Sequence, residues 1–347
     1  LPKKFKQEFN RRNYIGLNPD KIRTFGLYEW LRIILDRVFR SHRINFYLIN
    51  KRNKDFAKKV GELALRKNAK IIWAVLDGAQ EAFLIAKNGG GVKCVLDQFI
   101  GHPLALNKVL ENEEKLHPEL KNVTKEKVGT EKTKRQQEEI ELADFIVVGS
   151  EFARNTVIEQ DILAQKIKII PYGVDTNLFH PAYKAKKHGA FKILFVGNIS
   201  VRKGCHYLLE AMSQINLPGV QLTMVGQMED HYFLNKFGNY FKWVPQVPHL
   251  EIPDFYREAD IYVYPTLFEG SSLSIYEALA SGLPVITTSN SGSIIRDKKD
   301  GFIISIRDVE AIKEKILELY HNRKLLKEMG VNARNRAEQY SWEIYHN

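Results

Sequence analysis

Short apolar runs alternate with longer amphipathic stretches along most of the chain. Runs such as "KIIWAVLD" (70–77) and "DFIVVGS" (144–150) have the continuous Val and Ile content of strands that are buried on both faces. Stretches such as "HYLLEAMSQI" (206–215) and "VEAIKEKILELYHN" (309–322) have helical spacing of their apolar residues. The alternation predicts an α/β fold with parallel sheets, and its occurrence in two sets predicts two Rossmann-like domains.

The segment 180–190 predicts the boundary between these domains. It contains a proline, a glycine and three lysines, and it lacks apolar periodicity. We therefore predict an N-terminal domain over 1–182 and a C-terminal domain over 183–332. Residues 333–347 are predicted to start a helix that returns toward the N-terminal domain.

The charge of the chain is concentrated near its beginning. The formal net charge is +11, and residues 1–60 hold 16 Lys and Arg against 5 Asp and Glu. Such a stretch attracts anionic surfaces, and the helical spacing within 27–49 predicts a basic amphipathic helix that could dock on anionic lipid. A second charged stretch, 109–141, is predicted to be solvated helix that is broken near Pro118.

Few features point to a compartment. The only cysteines are Cys94 and Cys205, no apolar run has the length of a membrane span, and the first residues do not show a signal-peptide pattern. These observations predict a cytoplasmic protein, peripheral at the inner membrane face if the basic stretch binds lipid.

The loop after the strand that ends at Gly197 carries the first candidate chemistry. In open α/β sheets, ligands bind beyond the carboxyl ends of the strands. Arg202, Lys203 and Gly204 follow this strand end and open a helix, whose N-terminus favours phosphate. The alternative is a solvated basic pair at a helix start.

The segment "FEGSSLSIYE" (268–277) carries the second candidate for a chemical role. Glu269 and Glu277 flank a turn and the start of a predicted helix near Ser271–Leu273, with a serine as its N-cap. The two carboxylates could bracket a polyhydroxylated ligand, with Glu277 about one turn into the helix. The alternative is that both carboxylates merely favour the positive end of the helix.

Together these motifs resemble glycosyltransferase family 4, the retaining nucleotide-sugar transferases of GT-B fold. The E-x7-E signature corresponds to Glu269 and Glu277, the phosphate element to Arg202–Gly204, and the end of the first domain to "IIPYGVDTNLFHP" (169–181). The resemblance implies two Rossmann-like domains whose parallel sheets face a central cleft. It also implies that the family's first strand and loop are missing before residue 1.

The family pattern implies a role for each matching residue. Arg202 and Lys203 would neutralise the diphosphate of a UDP- or GDP-sugar without metal or other cofactor, and Glu269 would contact the sugar. Glu277 would bind the ribose, and on the acceptor side we select His102 and Asp97. The full set of predicted donor-binding residues is Gly197, Gly270, Ser271, Ser272, Leu273, Glu277, Val244 and Val247.

The predicted reaction is transfer of the sugar, with retention, to a glycan or lipid-linked acceptor. Another GT-B chemistry, a nucleotide-sugar epimerase or a phosphorylase, is the alternative, although no lysine motif that anchors pyridoxal phosphate is apparent. A basic nucleic-acid-binding protein is a third reading because Phe and Tyr interleave with the basic residues of the first sixth. No nucleic-acid module is visible, so a nucleic-acid partner is not expected.

Overall fold

The structure, a computed structural model, describes residues 42–182 and 189–346. Most of the predicted amphipathic stretch 27–49 therefore lies outside the described residues. Its last positions belong to the first described helix, α1 (His42–Arg66). Among the described residues, no helix combines the length and the apolar content that a bilayer crossing needs.

The N-terminal sheet has four strands, all parallel, in the order β1-β2-β3-β4. The strands are β1 (Ile71–Val75), β2 (Lys93–Gln98), β3 (Phe145–Val148) and β4 (Ile167–Ile169). The helices that follow α1 are α2 (Gln80–Gly89), α3 (Pro103–Leu116), α4 (Thr130–Leu142) and α5 (Glu151–Ile158). Leu96 of β2 and Ile146 of β3 are fully buried in a core that they share with Phe83 of α2 and Ile140 of α4.

The C-terminal sheet has six parallel strands in the order β10-β9-β8-β5-β6-β7. The strands are β5 (Phe191–Val196), β6 (Val220–Val225), β7 (Lys242–Val244), β8 (Ile261–Tyr264), β9 (Val285–Thr288) and β10 (Gly301–Ile304). The helices are α6 (Cys205–Gln214), α7 (Tyr232–Phe237), α8 (Ile252–Glu258), α9 (Leu273–Ala280), α10 (Val309–His321), α11 (Arg323–Glu338) and α12 (Trp342–His346). Two parallel sheets with flanking helices confirm the predicted α/β fold.

The strand order of the C-terminal sheet determines where a ligand can bind. The chain builds outward from β5 to β7 and then returns to the other side of β5 with β8. Loops that leave neighbouring strands in opposite directions open a crevice at such a switch point. The loops after β5 and β8 carry the two candidate motifs, so the topology brings the motifs together.

The break that was predicted near Pro118 within 109–141 is confirmed, because α3 ends at Leu116 and the irregular segment 121–129 precedes α4. The predicted solvation is wrong, because each helix carries a glutamate without exposed surface. Glu139 of α4 accepts hydrogen bonds from the backbone N–H groups of Asp77, Ala79 and Gln80. These donors stabilise a carboxylate at the N-terminus of α2, where the helix dipole also favours it.

The two halves of the chain interlock. Leu106 and Leu110 of α3 belong to the same buried cluster as the core of the C-terminal sheet. In the opposite direction, the chain after α11 returns to the segment that follows the N-terminal sheet, where the Val174 N–H donates to the Tyr340 carbonyl at 2.9 Å. The domain limits at 182 and 332 remain a prediction.

Candidate active site

The loop after β5 presents two cations at the switch point. Gly204 precedes α6 with φ of +66°, and a Cβ there would lie 2.0 Å from the Pro265 carbonyl oxygen, so only glycine fits. The backbone carbonyl of Arg202 accepts from the Leu267 N–H at 2.9 Å, which fixes this loop against the one after β8. The side chains of Arg202 and Lys203 are only 13% and 12% exposed.

Glu269, on the loop after β8, is the immediate partner of both cations. Its Oε1 accepts from Arg202 Nη1 at 3.0 Å, from Tyr264 OH at 2.9 Å and from Lys203 Nζ. Burial and the neighbouring charge of Arg202 lower the pKa of the Lys203 ammonium well below its ordinary value. A cation in such a position needs an anion beside it, and Glu269 supplies one.

Glu277 lies on α9, as predicted, with its side chain 15% exposed. Its two oxygens accept from different donors: His249 Nε2 at 3.1 Å and Tyr256 OH at 3.0 Å. The hydrogen bond that His249 donates to Glu277 raises the pKa of His249 above its usual value. Tyr256 is fully buried, so it holds the carboxylate while His249 remains at the surface.

The turn between the two glutamates contacts loops that follow strands of the N-terminal sheet. Gly270 forms an antiparallel bridge with Ile100, and a Cβ on Gly270 would lie 2.0 Å from the Phe99 carbonyl oxygen. The Ser150 hydroxyl donates to the Gly270 carbonyl. Glycine is therefore required by this close approach of two backbones, and the turn forms part of the contact between the two halves.

The serines of this turn are used differently from the prediction. Ser272 occupies the N-cap position of α9, but its side chain does not cap the helix. Its hydroxyl bonds Ser274 Oγ instead, while its backbone N–H donates to the Ser291 carbonyl. The neighbouring Ser271 hydroxyl bonds the Tyr276 hydroxyl at 2.9 Å. The predicted helix start with a serine at its N-cap position is confirmed, but the expected capping hydrogen bond is not made, because these hydroxyls hold the turn against its neighbours.

Two further carboxylates lie near the basic pair. Glu126, from segment 121–129 of the N-terminal half, accepts from Arg202 Nε at 2.7 Å. Glu229, after β6, is placed where burial and the charge of Glu126 raise its pKa to about 7. Each of these carboxyl groups has one buried oxygen that accepts no hydrogen bond from the described residues.

The predicted acceptor-side residues differ in exposure. His102 has no exposed surface: its Nδ1 accepts from the Leu104 N–H as the N-cap of α3, and its Nε2 faces Gln137 Oε1 at 2.8 Å. Burial lowers the pKa of His102, which keeps the ring neutral. Asp97, at the end of β2, is partly exposed and accepts from Trp73 Nε1 at 3.3 Å. Neither role on the acceptor side is tested by these contacts.

The remaining predicted donor residues follow strand ends of the C-terminal sheet. Gly197 directly follows β5 and Val244 ends β7. Val244 and Val247 are partly buried against the core. Their donor-binding roles, like those of the turn residues and of Leu273, remain predictions.

One group among the described residues has the donor types of a metal site. Oxygen and nitrogen atoms of Glu113, His117 and His206 lie within 4.8 Å of one another. The Glu113 carboxylate already accepts from Arg307, Tyr207 and His206. A metal ion would have to displace these donors, so the group is better described as an ionic network between α3 and α6.

Sequence reasoning missed four residues that complete the site: Ser150, Glu126, Tyr256 and His249. His249 and Tyr256 follow the carboxyl end of β7, where a ligand was expected to bind. Their position after this strand was therefore a signal that could have identified them. Glu126 had none, because its partner Arg202 is 76 positions away.

Comparison with protein families gives a match in the C-terminal half of the chain. Residues 179–336 match the family model described as "Glycosyl transferases group 1". The matched region contains both glutamates and the basic pair.

Solved structures give the fold. UDP-bound Alr3699/HepE from Anabaena aligns with a TM-score of 0.64 at 18% identity, covering 83% of this chain and 79% of that one. A sucrose-phosphate synthase from Thermosynechococcus elongatus also gives 0.64, at 19% identity, covering 84% of this chain and 74% of that one. The chain has the GT-B fold. At these identities the likeness shows the fold alone.

Curated relatives align with about half of this chain. The Staphylococcus aureus capsular polysaccharide biosynthesis glycosyltransferase CapM is 30% identical over 231 residues, which is 58% of this chain and 60% of that protein. The Escherichia coli UDP-Gal:alpha-D-GlcNAc-diphosphoundecaprenol alpha-1,3-galactosyltransferase is 30% identical over 194 residues, 49% of each chain. The chain thus spans about half to three fifths of the length of these relatives.

Proposed function

We propose that this chain is a glycosyltransferase that moves a sugar from a nucleoside-diphosphate donor to a hydroxyl group of a glycan or lipid-linked acceptor. The observation that carries the proposal is the convergence of Arg202, Lys203 and Glu269 at the switch point of the C-terminal sheet, with Glu277 on the adjoining helix. The match of this region to group 1 glycosyl transferases supports it. Membership of glycosyltransferase family 4, with retention of configuration at the transferred sugar, remains the more specific expectation.

The donor is assigned from charge and shape. Two buried cations at a helix start suit a diphosphate, which carries the negative charge that develops on the leaving group. Glu277 offers a carboxylate held by Tyr256, which suits the paired hydroxyls of a ribose. HepE has been solved with UDP and with UDP-glucose, which favours a uridine nucleotide as the first donor to test.

The acceptor is assigned more broadly. One relative is named for a diphosphoundecaprenol-linked sugar and another for capsular polysaccharide biosynthesis. We therefore propose a glycan, free or linked to a lipid.

In the proposed reaction, the acceptor hydroxyl attacks the anomeric carbon on the face from which the diphosphate departs. The bond between that carbon and the phosphate oxygen breaks, and the departing phosphate takes the hydroxyl proton. Arg202 and Lys203 stabilise the charge that forms on the diphosphate, so the proposal assigns no step to a metal.

A donor screen tests the function. UDP-, GDP- and ADP-sugars are added singly to the protein, and binding is read as a rise in apparent melting temperature. Transfer is then measured with the best donor and a panel of glycan and lipid-linked acceptors, with donor turnover in their absence as the reading for an epimerase or hydrolase.

Two variants assign the glutamates. Glu277→Ala is expected to weaken donor binding, whereas Glu269→Ala is expected to reduce turnover more than binding. Glu258→Ala, at an exposed position that pairs with Lys192, is the matched control and is expected to behave as wild type. Wild-type transfer by both site variants would contradict the assignment.

A further inference from the structure

The Glu126–Arg202 contact joins the candidate phosphate site to the N-terminal half. Glu126 lies in segment 121–129, which joins α3 to α4 of that half, whereas Arg202 lies after β5 of the C-terminal half. The carboxylate accepts from Nε at 2.7 Å, and both side chains are nearly buried, at 14% and 13% exposure. At this burial the pair is shielded from the solvent screening that weakens surface ion pairs.

The guanidinium of Arg202 is already engaged by protein atoms on two sides. Its Nε donates to Glu126, and its Nη1 donates to Glu269 Oε1 at 3.0 Å and to the Phe268 carbonyl at 2.9 Å. A diphosphate that approaches Arg202 must therefore compete with carboxylates for the same donors. Glu269 lies in the same half of the chain as Arg202, whereas Glu126 belongs to the N-terminal half.

Three carboxylates lie around the basic pair. Glu126, Glu229 and Glu269 surround Arg202 and Lys203, and Glu229 is close enough to Glu126 for their charges to repel. The second oxygen of Glu126 is buried and accepts no hydrogen bond from the described residues. A buried carboxylate oxygen without a donor is costly, so this contact is easier to displace than a fully satisfied ion pair.

Neighbouring residues hold Glu126 in place. Lys125 Nζ donates to Asp230 Oδ2 at 2.8 Å and to the Glu229 carbonyl at 2.9 Å. Lys127 Nζ donates to Glu114 Oε2 of α3 at 2.8 Å. The segment is therefore anchored on both sides of Glu126, and one of its anchors lies across the cleft.

We propose that Glu126 is a positioning residue that occupies the phosphate-binding side of Arg202 in the empty site and is displaced by the donor diphosphate. The proposal rests on the proposed function, because it takes Arg202 as a phosphate ligand. Displacement removes one contact between the two halves, so donor binding loosens segment 121–129 from the C-terminal half. Glu126 thereby sets the affinity for phosphate without touching the reacting atoms.

The test compares Glu126→Gln with wild type by isothermal titration calorimetry. The probes are UDP, GDP and ADP, with uridine, guanosine and adenosine as ligands that lack phosphate. Removing the competing charge is expected to tighten binding of the nucleoside diphosphate about tenfold, the scale of one charge-assisted hydrogen bond. Binding of the nucleoside is expected to stay the same.

Glu114→Gln is the matched control. It weakens the Lys127 anchor of the same segment by removing the negative charge at position 114, but it leaves the contact with Arg202 intact. It is expected to bind nucleoside diphosphate like wild type. Glu126→Asp, which keeps the charge, is expected to restore wild-type affinity at least in part.

Hydrogen–deuterium exchange of the wild-type protein is an independent test, because it needs no variant and so does not depend on whether a variant folds. Amides of residues 121–129 are expected to exchange faster in saturating nucleoside diphosphate than in its absence, because the Glu126 anchor is released. Unchanged or slower exchange overturns the proposal.

The outcomes separate the two proposals. If wild type binds a nucleoside diphosphate and Glu126→Gln binds it equally or more weakly, the displacement fails and the function stands. If neither protein binds any of the three nucleoside diphosphates, the proposed function fails and takes the displacement with it.

Discussion

The ionic network around Glu113 gives the sharpest prediction of stability. Glu113 has no exposed surface, and it accepts from Tyr207 OH at 2.7 Å, from His206 Nε2 at 3.3 Å and from Arg307 Nε. Burial raises the cost of its charge, but the hydrogen bonds from His206 and Tyr207 outweigh that cost and hold its pKa below the usual value. Glu113→Ala removes the common acceptor of three donors that come from the C-terminal half.

The magnitude follows from what is left behind. Breaking a buried ion pair by removing one partner destabilises proteins by about 3–5 kcal/mol. Arg307 retains 27% exposure and regains some water, so the lower end of that range, about 3 kcal/mol, is expected. The exposed Glu111, two positions earlier on α3, is the control, and Glu111→Ala is expected to change stability by less than about 0.5 kcal/mol.

Urea unfolding followed by tryptophan fluorescence measures both variants. The expected result is a lower unfolding midpoint for Glu113→Ala and an unchanged one for Glu111→Ala. A loss of under about 1 kcal/mol for Glu113→Ala would refute the reasoning, since the network would then contribute no more than a surface pair.

Four further predictions concern pH, catalysis and membranes. Burial lowers the pKa of His206, so the folded state binds fewer protons than the unfolded state, and stability should fall as pH drops below 6.5. In urea unfolding, the midpoint of His206→Gln should therefore depend less on pH than that of the wild type. The pKa of Glu229 is raised from 4.5 to about 7, so wild-type stability should fall as pH rises through that window, and Glu229→Gln should be the more stable protein at pH 8. Arg202→Ala and Lys203→Ala should each lower the transfer rate about 10²–10³-fold, with a double variant that falls short of additivity because both charges serve one diphosphate; unchanged affinity for nucleoside diphosphate in both single variants would exclude the phosphate role. The basic stretch 1–60 should bind anionic vesicles at low salt in flotation assays and release them at high salt, with neutral vesicles as control; protein that stays in solution at low salt would end the membrane prediction.

The strand pattern allowed the fold and the centre of the site to be predicted. Parallel strands place their following loops at one edge, which is why Arg202 and Glu269 could be expected to meet although 67 positions separate them. Glu277 was also predictable, because helical spacing carries it back toward the same opening.

Contacts between the halves had no such periodic signal. The partners of Glu113 and Glu126 depend on how two separate sheets are placed, which local pattern does not encode. The helix start at His102 was partly readable, since a proline is typical of the first position of a helix, but its burial was not. Glu113 and Glu139 look like surface residues in the sequence and are buried because donors from distant segments surround them.

The return of the chain at Val174 has a mechanical consequence. The segment that leaves the N-terminal sheet and the segment that comes back from α11 lie side by side, joined by the hydrogen bond from Val174 to Tyr340 and by the bridge between Val174 and Ser341. Because the two connections are held side by side, any opening of the two halves has to bend both of them at the same place. We therefore expect the halves to pivot near Val174, with the bridge between Ile100 and Gly270 among the contacts that separate if the acceptor of the proposed reaction is bulky.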